Sequence, residues 1–131
     1  MSRRATGSME LKSWDEHPYS EIDGGPKLAR ASVTQSFSGD IEGEGTLEYL
    51  MLYQGDAASF SGLERVVGRI GERWGSFVLQ HNGRFEGDTA RSSLSVVPGS
   101  GTGDLRGLRG EGSFAWPHGQ SGAITLDYDF E

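Results

Sequence analysis

Apolar and polar residues alternate with a period of two along most of the chain, and the alternation breaks at glycine-rich dipeptides. Leu47, Tyr49, Met51 and Tyr53 face one way, and Thr46, Glu48, Leu50 and Leu52 the other. The same rhythm joins Phe60, Gly62, Glu64 and Val66, then Phe77, Leu79 and His81, then Ala90, Ser92, Leu94 and Val96. Near the end, Ile124, Leu126, Tyr128 and Phe130 oppose Thr125, Asp127 and Asp129. A two-residue period places each set on one face of a half-buried strand. Eight strands are predicted, over residues 6–15, 28–38, 45–53, 59–70, 74–85, 89–97, 109–116 and 123–130. Gly55-Asp56, Gly71-Glu72, Gly87-Asp88 and residues 117–122 supply turns between them. Residues 16–26, with two prolines, paired glycines and several carboxylates, read as a loop. No window carries a convincing 3.6-residue period.

Hairpin register gives an independent check. Pairing Tyr53 with Phe60 places Tyr49 opposite Glu64. A turn at Gly71-Glu72 places Glu64 opposite Leu79, and one at Glu86-Gly87 places Leu79 opposite Leu94. The large apolar residues of these strands then share one face. Consecutive meandering strands with one apolar face predict an all-β domain, a single antiparallel up-and-down β-barrel of about eight strands. Closure would remove the exposed strand edges. At 131 residues one domain is expected, with residues 1–5 a flexible N-terminus.

Composition narrows the function. Nineteen acidic against twelve basic residues give a formal net charge of −7, which opposes a general nucleic-acid role. No cysteine is present, so disulfides and zinc–thiolate sites are excluded. No apolar run follows the basic Met1-Ser-Arg-Arg4, and none elsewhere is long enough for a membrane-spanning helix. A cytoplasmic protein is the expectation. Glycine, at 21 residues, is about twice its usual ~7% share, which points to tight turns and bent strands.

Glycine is densest in residues 97–112, where Gly99-Ser-Gly-Thr-Gly103 superficially suggests a nucleotide loop. The stretch lacks the Lys-Ser/Thr ending of a phosphate loop, and a glycine-studded strand follows it in place of a helix. It is read as a connection packing across one barrel end, with the next strand bent at Gly107, Gly110 and Gly112.

Ser100-Gly-Thr-Gly-Asp-Leu-Arg-Gly-Leu-Arg-Gly-Glu-Gly112 resembles the "GTG-x-Φ-x-G-x-x-G" connection, Φ apolar, of allene oxide cyclases and plant dirigent proteins. Nearly the whole chain is more closely similar to a bacterial family of uncharacterised domains assigned to the same allene-oxide-cyclase-like barrel. The segments carrying this are Ser13-Trp-Asp-Glu16 with Pro18-Tyr19, Gly39-Asp-Ile-Glu-Gly43, Glu48-Tyr-Leu-Met51, Gly62-Leu-Glu-Arg-Val66, Gly75-Ser-Phe-Val-Leu-Gln-His81 and Leu126-Asp-Tyr-Asp-Phe130. The resemblance implies an apolar barrel that holds a small organic molecule and sometimes steers its cyclisation, and a homo-oligomer. It carries over no catalytic residue.

The candidate chemistry lies on the inward face. Glu64 is flanked across the strands by Tyr49 and Leu79, and His81 lies diagonally beside it. Tyr53, Gln35, Ser92 and Tyr128 point into the same interior, with Phe60, Phe77 and Leu79 as apolar lining. Burial raises a carboxylate's pKa unless it is paired, and a nearby histidine can be that pair. The expected mechanism is acid–base assistance by Glu64, with His81 as partner and Tyr49 or Tyr53 as hydrogen-bond donor. The competing reading is a satisfied structural network of the same residues.

Other signals are weaker. His17 belongs to the acidic 16–26 loop, more simply a solvated segment than a gate. His17, His81 and His118 show no ligand spacing, so no metal and no cofactor are expected. Asp40-x-Glu42-x-Glu44 misplaces the glycines of a calcium loop. Trp14, Trp74 and Trp116 read as barrel-end plugs. Leu50 and Leu52 on the outer face would suit an oligomer interface. The expected function is a small-molecule-binding barrel for an apolar organic ligand, as cofactor-free cyclase or isomerase, as carrier, or as a packed interaction barrel.

Overall fold

The computed structural model describes residues 2–131. Strands β1 (Arg3–Ser20), β2 (Lys27–Gly39), β3 (Ile41–Gln54), β4 (Ala57–Ile70), β5 (Arg73–Glu86), β6 (Thr89–Val96), β7 (Thr102–Gly103), β8 (Leu108–Pro117) and β9 (Gly122–Phe130) follow one another. Eight of them form an antiparallel ring in the order β4-β3-β2-β1-β9-β8-β6-β5, closed by the β4–β5 pair. The predicted meander is therefore the observed one, with two-residue β7 added on the edge of β5. No helix among the described residues is long and apolar enough to cross a membrane.

Two-residue turns join β3–β4, β4–β5 and β5–β6. Each begins with glycine at positive φ, 60° at Gly55, 59° at Gly71 and 60° at Gly87, as expected of hairpin turns that match the strand twist. These turns set the register. Glu64 pairs with Leu79 as predicted. Tyr49 lies opposite Gly62, not Glu64, and Tyr53 opposite Ala58. Likewise His81, not Leu79, faces Leu94. Both differences are two residues, because the hairpins centre on Gly55-Asp56 and Gly87-Asp88. An even shift preserves every face.

The N-terminal region differs most from expectation. Residues 3–5 are not a flexible tail: Arg3 to Met9 pair with Tyr128 to Gly122 of β9, and Ala5 is buried. The first five residues of the predicted 16–26 loop are strand, since β1 runs on to Ser20, leaving residues 21–26 as connection. Beyond Met9, β1 pairs with β2 alone. That leaves a free edge, along which Lys12, Asp15 and Glu16 discourage edge pairing.

The interior has two halves. At the end where Ile41 pairs with Ile70, the lumen is packed by those residues, Phe77, Leu105, Leu108 and Leu126. The glycine-rich stretch closes this end as an architectural element. Asp104 N–H donates to the Trp74 carbonyl at 2.8 Å, and Leu105 inserts with no exposed surface. At the opposite end, where β1 departs from β9, the barrel is open. Of the three tryptophans read as plugs, Trp14 and Trp116 border this opening. Trp74 lies outside the core, 58% exposed, because it shares its register position with the outward Arg69. On the outer face Leu50 is exposed and Leu52 half-buried.

Candidate functional site

Four neighbouring strands each send one polar side chain into the middle of the barrel: Gln35 from β2, Tyr49 from β3, Glu64 from β4 and His81 from β5. All four are buried, and Glu64 and His81 have no exposed surface. His81 Nε2 lies 2.8 Å from Glu64 Oε1, and His81 Nδ1 3.0 Å from the Tyr49 hydroxyl. Gln35 Nε2 donates to Glu64 Oε2 at 2.5 Å. Among the described residues, no buried side-chain nitrogen or oxygen lacks a partner.

Two inward glycines make these contacts geometrically possible. Gly62 stands between Tyr49 and His81 in the register, so no side chain separates them. Gly45 stands opposite Gln35, and a Cβ there would lie 2.1 Å from Glu64 Oε2. Burial, and then the charge of Glu64, push the Tyr49 phenol above the usual tyrosine range. A phenol that keeps its proton donates to Nδ1, which places the imidazole proton on Nε2, donated in turn to Glu64. The result is a three-residue relay, Tyr49 to His81 to Glu64, with Gln35 holding the second carboxylate oxygen.

Beside this belt, at the open end, lies a cavity of about 1060 Å³. That is at or above the top of the ~300–1,000 Å³ usual for ligand pockets. Of the residues predicted to form the site, Gln35, Tyr49, Tyr53 and Phe60 line it. Glu64 and His81 belong to the network but do not border the cavity. They stand behind Tyr49 and Gln35, so direct contact between Glu64 and a ligand in this cavity is not part of the geometry. Phe77 and Leu79 are core residues toward the closed end. Tyr128 is also at that end, edge-on to Phe130. Ser92 does not border the cavity, and its hydroxyl accepts from Asn82 N–H and donates to the Ser93 carbonyl.

Sequence reasoning missed much of the wall, Phe85, Phe114, residues 117–121 and Glu16, and gave Trp14 and Trp116 the role of plugs where they are wall. Phe114 and Trp116 alternate on β8 and could have been found from that rhythm. Glu16 is held at the mouth by the Tyr53 hydroxyl, 2.8 and 2.7 Å from its two oxygens, and by Trp14 Nε1 at 2.9 Å. Partial burial, then the bond to Glu16 and its charge, raise the Tyr53 phenol as well.

Both raised phenols make the folded chain bind more protons than the unfolded one above the ordinary tyrosine pKa of about 10. Their contribution to stability is complete below that pH and is lost as pH rises beyond it. Denaturant titrations at increasing alkaline pH should show falling stability, with Tyr49 phenolate absorbance developing only as the barrel unfolds. Ionisation of Tyr49 in the intact fold would contradict the buried relay.

The fold and interior together define an antiparallel eight-stranded barrel with a buried polar belt beneath an open, aromatic cavity. The chain belongs to the family described as protein of unknown function (DUF3224), whose model matches residues 5–128. It is similar to a solved structure from Shewanella oneidensis MR-1, described as a protein with unknown function from that family. The identity is 30%, the TM-score 0.82, and the match covers 100% of this chain and 98% of that one. No curated protein matches the chain.

Proposed function

We propose that the chain is a small-molecule-binding barrel whose open-end cavity takes a largely apolar organic molecule. The carrying observation is that the cavity is walled mainly by aromatic and aliphatic side chains, while the buried network reaches it through Tyr49 and Gln35. A few convergent polar groups in an otherwise apolar cavity orient a ligand. The likeness of the glycine-rich connection to that of cyclase barrels agrees with this reading.

Its catalytic form is a cofactor-free isomerase or cyclase in which Tyr49 is the group that meets substrate. His81 exchanges a proton with the phenol, and Glu64 holds the imidazole in the required tautomer and balances its charge. This arrangement relocates the acid–base role expected of Glu64 to the hydroxyl two bonds along the network. A non-catalytic carrier is the second reading, favoured by the complete burial and mutual satisfaction of Glu64 and His81.

The neutral fluorophore N-phenyl-1-naphthylamine tests the shared part. It should bind saturably at one site and quench the fluorescence of Trp14 and Trp116, and Ala90→Trp, which fills the cavity wall, should abolish the binding. Absence of saturable binding, or binding indifferent to Ala90→Trp in a folded variant, rejects the proposal. For the catalytic form, Tyr49→Phe should keep probe binding while slowing turnover of a substrate by roughly 10²–10⁴-fold.

A further inference from the structure

The chemistry of the cavity mouth identifies the kind of molecule that fits. Trp14, Tyr53 and Trp116 form part of its wall toward the opening, with Phe60, Phe85 and Phe114 further along. The ionisable residues on this wall besides the tyrosines are Glu10, Glu16 and His118, and among the described residues no lysine or arginine lines it. Glu16 is not a loose surface carboxylate. It is half-buried, and donors from Tyr53 and Trp14 fix its position. It has no ion pair with a basic side chain among the described residues, although eight other carboxylates of the chain do. Lys27 comes near, but its ammonium is placed 4.7 Å from the centre of the Tyr53 ring, on the π-face.

Aromatic faces attract cations through their quadrupole, and a fixed carboxylate without a counter-charge does so through its charge. An anionic ligand would meet both unfavourably. The formal net charge of −7 adds long-range attraction for cations. Resting on the reading of this cavity as a ligand site, we infer that its ligand is an organic cation: an alkylated ammonium or comparable group seated between Glu16 and the aromatic wall near the mouth. An apolar body extends from it past Phe60 and Phe114 toward Tyr49 and Gln35. The ligand is therefore polar at the mouth and apolar within, and its inner end is the part presented to the relay.

Three probes sharing an eight-carbon chain test this on the full chain: octyltrimethylammonium, 1-octanol and octane-1-sulfonate, titrated calorimetrically at low salt below micelle formation. The cation should bind about tenfold or more tightly than octanol, with the sulfonate weakest. Glu16→Gln, which keeps acceptor and size but removes the charge, should reduce the cation-to-octanol ratio about tenfold, as added salt should reduce it in the parent. Trp14→Phe, which removes one group fixing Glu16, should reduce it by less. Thermal unfolding establishes that each variant is folded. Octanol binding as tightly as the cation, or a ratio unchanged in both variants, overturns the cation inference and leaves the ligand site standing. If neither octanol nor the cation binds, the ligand-site reading itself fails.

Discussion

Replacing His81 with leucine should destabilise the barrel by about 3–5 kcal/mol, the range for leaving a buried charge, here the Glu64 carboxylate, without its partner. For a domain of this size that corresponds to a fall in Tm on the order of 10–20 °C. The cause is not lost packing, because leucine fills much of the imidazole's volume. Glu64 has no exposed surface, and without His81 its Oε1 has no donor, while Gln35 supplies only Oε2. Glu64→Leu/His81→Leu should recover a substantial part of the loss, since the carboxylate is no longer stranded. Tyr49 and Gln35 then lose their partners, but both border the cavity, where water can reach them. Urea unfolding of the two single variants and the double variant measures the coupling directly. If the double variant loses the sum of the single losses, the stranded carboxylate is not the source of the destabilisation.

The same network shows how far the chain could be read before its structure. Period-two alternation assigned Glu64 and His81 to the interior correctly, because face depends only on parity and survives a register shift of two. Which side chains touch depends on register itself, and so Tyr49 was placed opposite Glu64 when its partner is His81. Gln35 was seen as inward, but its bond to Glu64 spans β3, with Gly45 providing the gap. The cavity was harder to anticipate. It exists because β1 leaves β9 after Met9, and the alternation that marks a strand fades where neither face is packed into a core. Trp14 and Glu16 lie in that weakly patterned segment. The glycine-rich connection is read as packing across one barrel end, and it does so. Its plugging residue, Leu105, depends on a turn whose long-range contacts no local pattern contains.

Gly62→Ala, a change of one methyl group, should cost about 1–3 kcal/mol, the usual range for overpacking. In a strand, glycine to alanine ordinarily improves local propensity, so the direction of this effect is itself informative. At Gly62 the added Cβ would lie 2.1 Å from the Glu48 carbonyl oxygen and 3.0 Å from Tyr49 Cδ1. The first of these is backbone of the neighbouring strand and cannot rotate aside, so β3 and β4 must separate locally. Tyr49 is carried on β3 and His81 on β5, and the strand between them is the one being pushed. Widening that gap lengthens the 3.0 Å bond between the phenol and Nδ1 while the bond from Nε2 to Glu64 is less affected. Urea unfolding should register the loss of stability. The ¹⁵N resonances of the His81 ring should show Nδ1 changing as it loses the Tyr49 donor, with Nε2 remaining protonated. Tyr49→Phe provides the reference spectrum for a ring without that donor. A Gly62→Ala protein within about 0.5 kcal/mol of the parent, with Nδ1 unmoved, would mean that the strand spacing is softer than the geometry requires. The empty position at Gly62 would then not be what holds the relay together.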